Sequence, residues 1–265
     1  MYTAFELAQK YLRYYWSALD SKGHGVHSPF VFDFIKFVKN DRHKYYCYDL
    51  IETERLALLK RQDYIEVEDY GAGSNVIKAN KRLVSKMAAS SLKPKRFAQL
   101  LFRIVQYYKP NTILELGTSF GITSAYLASG NKTARLYTLE GASSIAAIAQ
   151  NNFKKLHIDN ILLIEGNFDK TLLPLLSSLQ RIDMAFVDGN HKKEPTLYYF
   201  AEMLKKSTEE TILIFDDIHW SKEMEEAWDV IKKNDAVTLS IDLFFIGIVF
   251  LKKDFKVKHH YSIRF

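Results

Sequence analysis

At 265 residues with 48% apolar side chains, the chain is long enough for one large α/β domain or a domain with an added lobe, and its single cysteine, Cys47, excludes an intramolecular disulfide or a cysteine-rich zinc site. No run of about 18 apolar residues occurs, and Glu6, Lys10 and Arg13 interrupt the first twenty residues, so a soluble cytoplasmic protein without a membrane span or signal peptide is expected. The net charge of +6 is uneven: residues 1–110 hold 19 Lys/Arg against 11 Asp/Glu, whereas residues 111–265 hold 18 against 20.

The first hundred residues read as helices with short breaks. Phe5 to Leu19 spaces its apolar and aromatic residues helically, and Gly23-His24-Gly25-Val26-His27 interrupts it; two histidines alone give poor support for a zinc site. Ser28 and Pro29 suit an N-cap and a first helical residue, launching a helix from Phe30 to Val38, and another is expected from about Asp49 to Lys60. Tyr70-Gly71-Ala72-Gly73-Ser74 mimics a cofactor loop, but no second acidic strand end follows at the right distance, and a turn or lobe connection is expected there. The segment from Asn75 to Asn111 carries Lys78, Lys81, Arg82, Lys86, Lys93, Lys95, Arg96, Arg103 and Lys109 with no acid, and reads as helix-like from Lys78 to Ser90. It is either a solvated helical face or a track for phosphates.

From Pro94 a helix runs to about Tyr108, and strands then alternate with helical stretches, the pattern of parallel βαβ units. Thr112-Ile113-Leu114-Glu115-Leu116-Gly117-Thr118-Ser119-Phe120-Gly121 reads as a buried strand, a carboxylate and a tight glycine loop opening a helix, which places a small-molecule pocket at a strand's carboxyl end. The spacing Glu-x-Gly-x-x-x-Gly differs from the Gly-x-Gly-x-x-Gly that lets a pyrophosphate lie on the backbone, which disfavours a nicotinamide-dependent oxidoreductase. The next apolar run, Arg135 to Leu139, ends in Glu140, 23 residues beyond Gly117, where a carboxylate can accept both ribose hydroxyls of a cofactor. Runs ending at Gly166, at Asp188-Gly189-Asn190-His191 and at Asp216-Asp217-Ile218-His219-Trp220 follow. About Val237 to Leu243 and Ile246 to Lys252 lie too close together for a helical crossover and should form an antiparallel hairpin.

Taken together, residues 97–253 resemble the class I S-adenosylmethionine-dependent methyltransferases, and among them the branch of catechol O-methyltransferase and its bacterial relatives. Leu-Glu-Leu-Gly-Thr-Ser (residues 114–119) and Val-Asp-Gly-Asn-His (residues 187–191) are the most specific strings. The resemblance implies a Rossmann-like sheet of seven mostly parallel strands, order 3-2-1-4-5-7-6 with the last antiparallel, as a domain over residues 96–265 behind a mainly helical lobe over residues 1–95.

It further implies that Gly117, Thr118, Ser119 and Gly121 receive the amino-acid end of S-adenosylmethionine, with Glu115 facing its ammonium group. Glu140 and Gly141 would meet the ribose, Asn167 and Phe168 the adenine, and Asp188 the cofactor and the acceptor together. Asp188, Asp216 and Asp217 supply oxygen ligands suited to Mg²⁺, Mn²⁺ or Ca²⁺, an ion that would bind and acidify an acceptor hydroxyl. His191 stands where catechol-type enzymes usually carry a lysine base, and imidazole can take that proton at neutral pH. His219 and Trp220 are candidates for lining the acceptor pocket, beside a purely structural role. The expected activity is therefore O-methylation of a hydroxylated small molecule with a divalent cation. An RNA methyltransferase, tRNA included, using the basic segment, and an inactive methyltransferase-like binding protein are the alternatives; a homodimer is open.

Overall fold

The computed structural model describes residues 1–18, 28–68, 79–255 and 257–265, which form two compact units: Met1–Asp41 with Ser178–Phe265, and Arg42–Ser177. The expected loop at Gly71–Gly73 and the histidines His24 and His27 lie outside the described residues.

In chain order the helices are α1 (Ala4–Ser17), α2 (Pro29–Asp33), α3 (Tyr48–Lys60), α4 (Val84–Ser91), α5 (Lys95–Tyr108), α6 (Ile122–Gly130), α7 (Ser143–Lys155), α8 (Phe168–Ser178), α9 (Lys193–Leu204) and α10 (Lys222–Lys233). The strands are β1 (Tyr64–Glu68), β2 (Ala79–Leu83), β3 (Thr112–Leu116), β4 (Arg135–Glu140), β5 (Ile161–Glu165), β6 (Ile182–Val187), β7 (Ser207–Asp216), β8 (Leu239–Asp242), β9 (Ile246–Phe250) and β10 (His259–Ser262). Among the described residues they make a two-stranded sheet and a mostly parallel sheet of eight strands, the Rossmann-like α/β class expected, with one strand more than the seven predicted.

In the Arg42–Ser177 unit, β3, β4 and β5 lie side by side and parallel. α6 is buried along its whole length, as its sequence Ile-Thr-Ser-Ala-Tyr-Leu-Ala-Ser-Gly, free of charge, allows. It packs so closely on α5 that a Cβ on Gly130 would stand 2.7 Å from Val105 Cβ and 2.8 Å from the Phe102 carbonyl oxygen. One expectation fails here. Residues 79–83 are not helical but pair as β2 antiparallel to β1, Ile65 opposite Arg82 and Glu66 opposite Lys81, and the helix begins only at Val84. The cross-strand partner, Tyr-Ile-Glu-Val-Glu, overrides the local helical preference.

The other unit holds β6 and β7 in parallel, β9 antiparallel to β7, and β8 antiparallel to β9, the hairpin expected. Beyond prediction, β10 adds itself parallel to β8. α1 starts with a reciprocal cap: the Glu6 amide donates to Thr3 Oγ1 and the Thr3 amide to Glu6 Oε2. Its inner face sets Tyr14 and Ala18 against Phe244, and the Tyr14 hydroxyl donates to the carbonyls of Asp242 and Ile263. Ser28 caps α2 with Pro29 at its first position, and a π-helical turn, Phe34–Lys39, continues it. No helix among the described residues is long and apolar enough to cross a membrane.

Candidate active site

The glycine loop of the Arg42–Ser177 unit is folded back onto the end of β4. The amides of Gly117 and Thr118 both donate to the Leu139 carbonyl, at 3.0 and 3.1 Å. This reversal needs left-handed backbone at Gly117 (φ 104°), Ser119 (φ 49°) and Gly121 (φ 80°). At Gly121 a side chain is also excluded by space, because a Cβ there would lie 2.5 Å from Phe153 Cε1. Ser119 has no such excuse of composition, and a non-glycine residue in this region is commonly held at a functional site.

Glu140 ties the loop down. Its Oε2 accepts from the Ser119 amide at 2.8 Å and its Oε1 from the Ala142 amide at 3.1 Å. Burial pushes the carboxyl above the usual glutamate range, and the amides of Ala142, Ser119 and Gly141 oppose that shift. Glu115, by contrast, is 0% exposed. Its Oε2 accepts from Thr138 Oγ1 at 2.7 Å and from Ser124 Oγ, while Thr118 Oγ1 and Thr138 Oγ1 are 2.6 Å apart. Glu115 thus sits under the loop and acts on it through Thr138 and Thr118. Asn167 caps α8, its Oδ1 accepting from the Asp169 amide at 2.9 Å, and Phe168, half-buried, opens that helix.

Ser91, Ser124 and Thr138 join this set unannounced. Ser91 Oγ lies 3.1 Å from Ser119 Oγ and links α4 to the loop across 28 residues of sequence, which no local pattern encodes. Thr138 had a readable signal, a hydroxyl in the middle of an apolar strand.

In the other unit, the turns that follow β6 and β7 each hold a residue of unusual backbone, Asn190 (φ 63°) and Asp217 (φ 54°). Asn190 is held by its Nδ2, which donates to the Tyr199 hydroxyl at 3.1 Å. His191 lies between two carboxylates, Nε2 3.6 Å from Asp188 Oδ1 and Nδ1 3.9 Å from Asp217 Oδ2. Asp216 is buried, 1% exposed, at the end of β7. Among the described residues no group of three or more His, Cys, Asp or Glu side chains could hold a metal ion, so Asp188, Asp216 and Asp217 do not assemble as a cation site. His219 is spent on structure: Nδ1 is 3.0 Å from Glu225 Oε1, Nε2 2.9 Å from Asp242 Oδ2, and the ring stacks on Phe244. Trp220 donates its amide to the Asp217 carbonyl and accepts from the Tyr2 amide.

The sequence from Leu114 to Ile218, which runs from β3 to the turn after β7, matches a family model described as a methyltransferase domain. The chain carries a methyltransferase domain over residues 114–218. Solved structures share the fold of this methyltransferase. An O-methyltransferase from Bacillus cereus in complex with SAH is 19% identical over 81% of this chain and 95% of that chain, with a TM-score of 0.57. The SAH-bound Podospora anserina methyltransferase PaMTH1 is 15% identical over 96% of this chain and 98% of that chain, with a TM-score of 0.60. The O-methyltransferase TomG from Streptomyces achromogenes, in complex with SAM and involved in tomaymycin synthesis, is 20% identical over 61% of this chain and 82% of that chain, with a TM-score of 0.53. Among curated proteins no sequence matches the chain. The glycine loop offers backbone amides, with the Glu140 carboxylate beside them, and structures bound to SAM or SAH are among those that share the fold.

Proposed function

We propose that this methyltransferase methylates a hydroxyl oxygen of a small molecule, with His191 as the base. The observation that carries the reading is the imidazole of His191 between Asp188 and Asp217, each carboxylate at a strand end and each within 4 Å. When bound, S-adenosylmethionine supplies a methyl group on a sulfonium, which leaves as a neutral thioether while the acceptor oxygen takes the methyl. Glu140 would accept hydrogen bonds from the ribose hydroxyls and the loop from Gly117 to Gly121 would receive the amino-acid end, while Glu115 keeps that loop in shape from below. Phe168 contributes an apolar surface for the adenine. His191 removes the acceptor's hydroxyl proton, and the imidazolium so formed is stabilised by Asp188 and Asp217.

The divalent cation that the resemblance implies, Mg²⁺ or else Mn²⁺ or Ca²⁺, meets no group of three His, Cys, Asp or Glu side chains suited to hold it among the described residues, and this reading gives its work to His191. The RNA alternative is not favoured. The basic segment divides among β2, α4 and α5, Lys81 stands opposite Glu66 in the two-stranded sheet, and Arg103 is buried. The test is calorimetric titration of S-adenosylmethionine followed by product analysis with a panel of hydroxylated aromatics. Cofactor binding with a methylated hydroxyl product is expected. Binding without transfer to any hydroxylated acceptor would overturn the assignment of the acceptor, and no cofactor binding would overturn the whole.

A further inference from the structure

A cavity of about 310 Å³ opens in the Arg42–Ser177 unit away from the glycine loop. Ala128 and Ser129 line it at the carboxyl end of α6, whereas the loop precedes the amino end of that helix; nine helical residues separate the two ends by roughly 13 Å. Leu156 to Asn160 line it at the amino end of β5, whereas Asn167 follows the carboxyl end. The cavity and the glycine loop therefore lie at opposite ends of α6.

Its floor is apolar, built from Cys47, Ile51, Leu156 and Ile158. Burial pushes the Cys47 thiol up to about 11, so it remains a protonated lining group and not a nucleophile. The walls are fixed. Tyr46 donates its hydroxyl to the Ser129 carbonyl at 2.9 Å, and Asn160 Nδ2 donates to the carbonyls of Ala128, Asn131 and Ala134. That geometry spends the Asn160 amide nitrogen and leaves its Oδ1 as an acceptor. Lys132 rests its ammonium over the Tyr46 ring, 4.4 Å from the centroid, and among the described residues it forms no ion pair with Asp159, which also lines the cavity.

A cation, an anion, an amide oxygen and an apolar floor in one cavity select among ligands by elimination. A simple anion meets Lys132 but is repelled by Asp159, and a simple cation meets the reverse. A neutral apolar molecule covers the floor but engages neither charge. A molecule with both charges on a short frame and an apolar body satisfies all four features. We infer that this cavity binds a free α-amino acid with an apolar side chain, its carboxylate on Lys132 and its ammonium on Asp159 and Asn160 Oδ1.

The experiment uses the full chain and three probes, L-phenylalanine, 3-phenylpropionate and phenethylamine, followed by ligand-detected NMR. Phenylalanine is expected to bind, and each analogue, missing one charge, to bind about tenfold more weakly. Lys132→Ala should erase the preference over phenethylamine, and Asp159→Ala the preference over 3-phenylpropionate; both side chains are exposed, so the fold tolerates their removal. Binding should persist with SAH at saturation. Displacement by SAH would move the amino acid to the cofactor loop and overturn the inference. So would equal affinity for either analogue, unchanged preferences in the variants, or no binding of phenylalanine up to about 10 mM. A failure of cofactor binding leaves the analogue and variant comparisons readable, because only the SAH competition depends on it.

Discussion

The Ser119 amide donates to Glu140 Oε2 across 2.8 Å, so the carboxylate proposed to hold a ribose also shapes the loop proposed to receive the cofactor's other end. Burial raises the Glu140 carboxyl above the usual range of about 4.3, and ribose hydroxyls donating to it would stabilise its charged form. A proton must leave before those bonds form. Affinity for S-adenosylmethionine should therefore be weak at low pH and rise as pH climbs through the raised value, then level off. Glu140→Gln should bind about tenfold more weakly at neutral pH and lose the acid limb of this profile, as titration calorimetry across pH can check.

Gly121→Ala should be costly for two separable reasons, the φ of 80° and a Cβ 2.5 Å from Phe153 Cε1. A destabilisation of about 1–3 kcal/mol is expected in urea unfolding. Adding Phe153→Leu should return only the steric share. Full recovery in the double variant would show that the backbone conformation contributes nothing.

Replacement of His191 by alanine should lower the methyl-transfer rate by a factor of about 10²–10⁴ while leaving cofactor affinity intact, since the residue acts on the acceptor. Prior treatment with EDTA should leave the wild-type rate unchanged. A loss on chelation that Mg²⁺ restores would return Asp188 and Asp217 to the role of metal ligands and demote His191.

Stability should fall on the alkaline side through His219. Burial alone would lower the imidazole's pKa, but the bonds and charges of Asp242 and Glu225 outweigh it and raise the value above the ordinary 6.5 or so. A raised histidine stabilises the fold fully below the unfolded value, and the contribution disappears as pH rises through the folded one. Glu225 also receives the Tyr2 hydroxyl and Lys10 ammonium, so neutral His219 loosens the hold on α1. Urea midpoints should drop between roughly pH 6 and the folded value in the wild type and run flat over that window in His219→Gln.

The parts readable from sequence were those encoded by neighbouring residues. Gly117 and Gly121 announced a loop because only that residue type suits such backbone, and each strand end announced itself by a polar residue after an apolar run. The hairpin of β8 and β9 followed from a connection too short for a helix. What escaped depends on partners distant in the chain. β2 looked helical until β1 supplied its cross-strand neighbours, and Ser91 carries no mark of its meeting with Ser119. His219 was read as a pocket or structural residue with nothing to decide between them, because Glu225 and Asp242 approach it through folding alone. Local chemistry specified the loop; long-range packing chose which carboxylate holds what.

β10 leaves β8 paired along both of its edges. An uncovered strand edge offers unpaired amides and carbonyls to any passing chain, and β8 would present one. The four residues His259 to Ser262 cover it, and Ser240 Oγ lies 2.8 Å from His260 Nδ1. A chain trimmed after Lys258 should still fold its hairpin yet self-associate, growing edge to edge with concentration. The same segment braces α1, since the Ile263 carbonyl accepts from the Tyr14 hydroxyl and Arg264 donates to the Tyr15 carbonyl, so the trimmed chain should also lose stability.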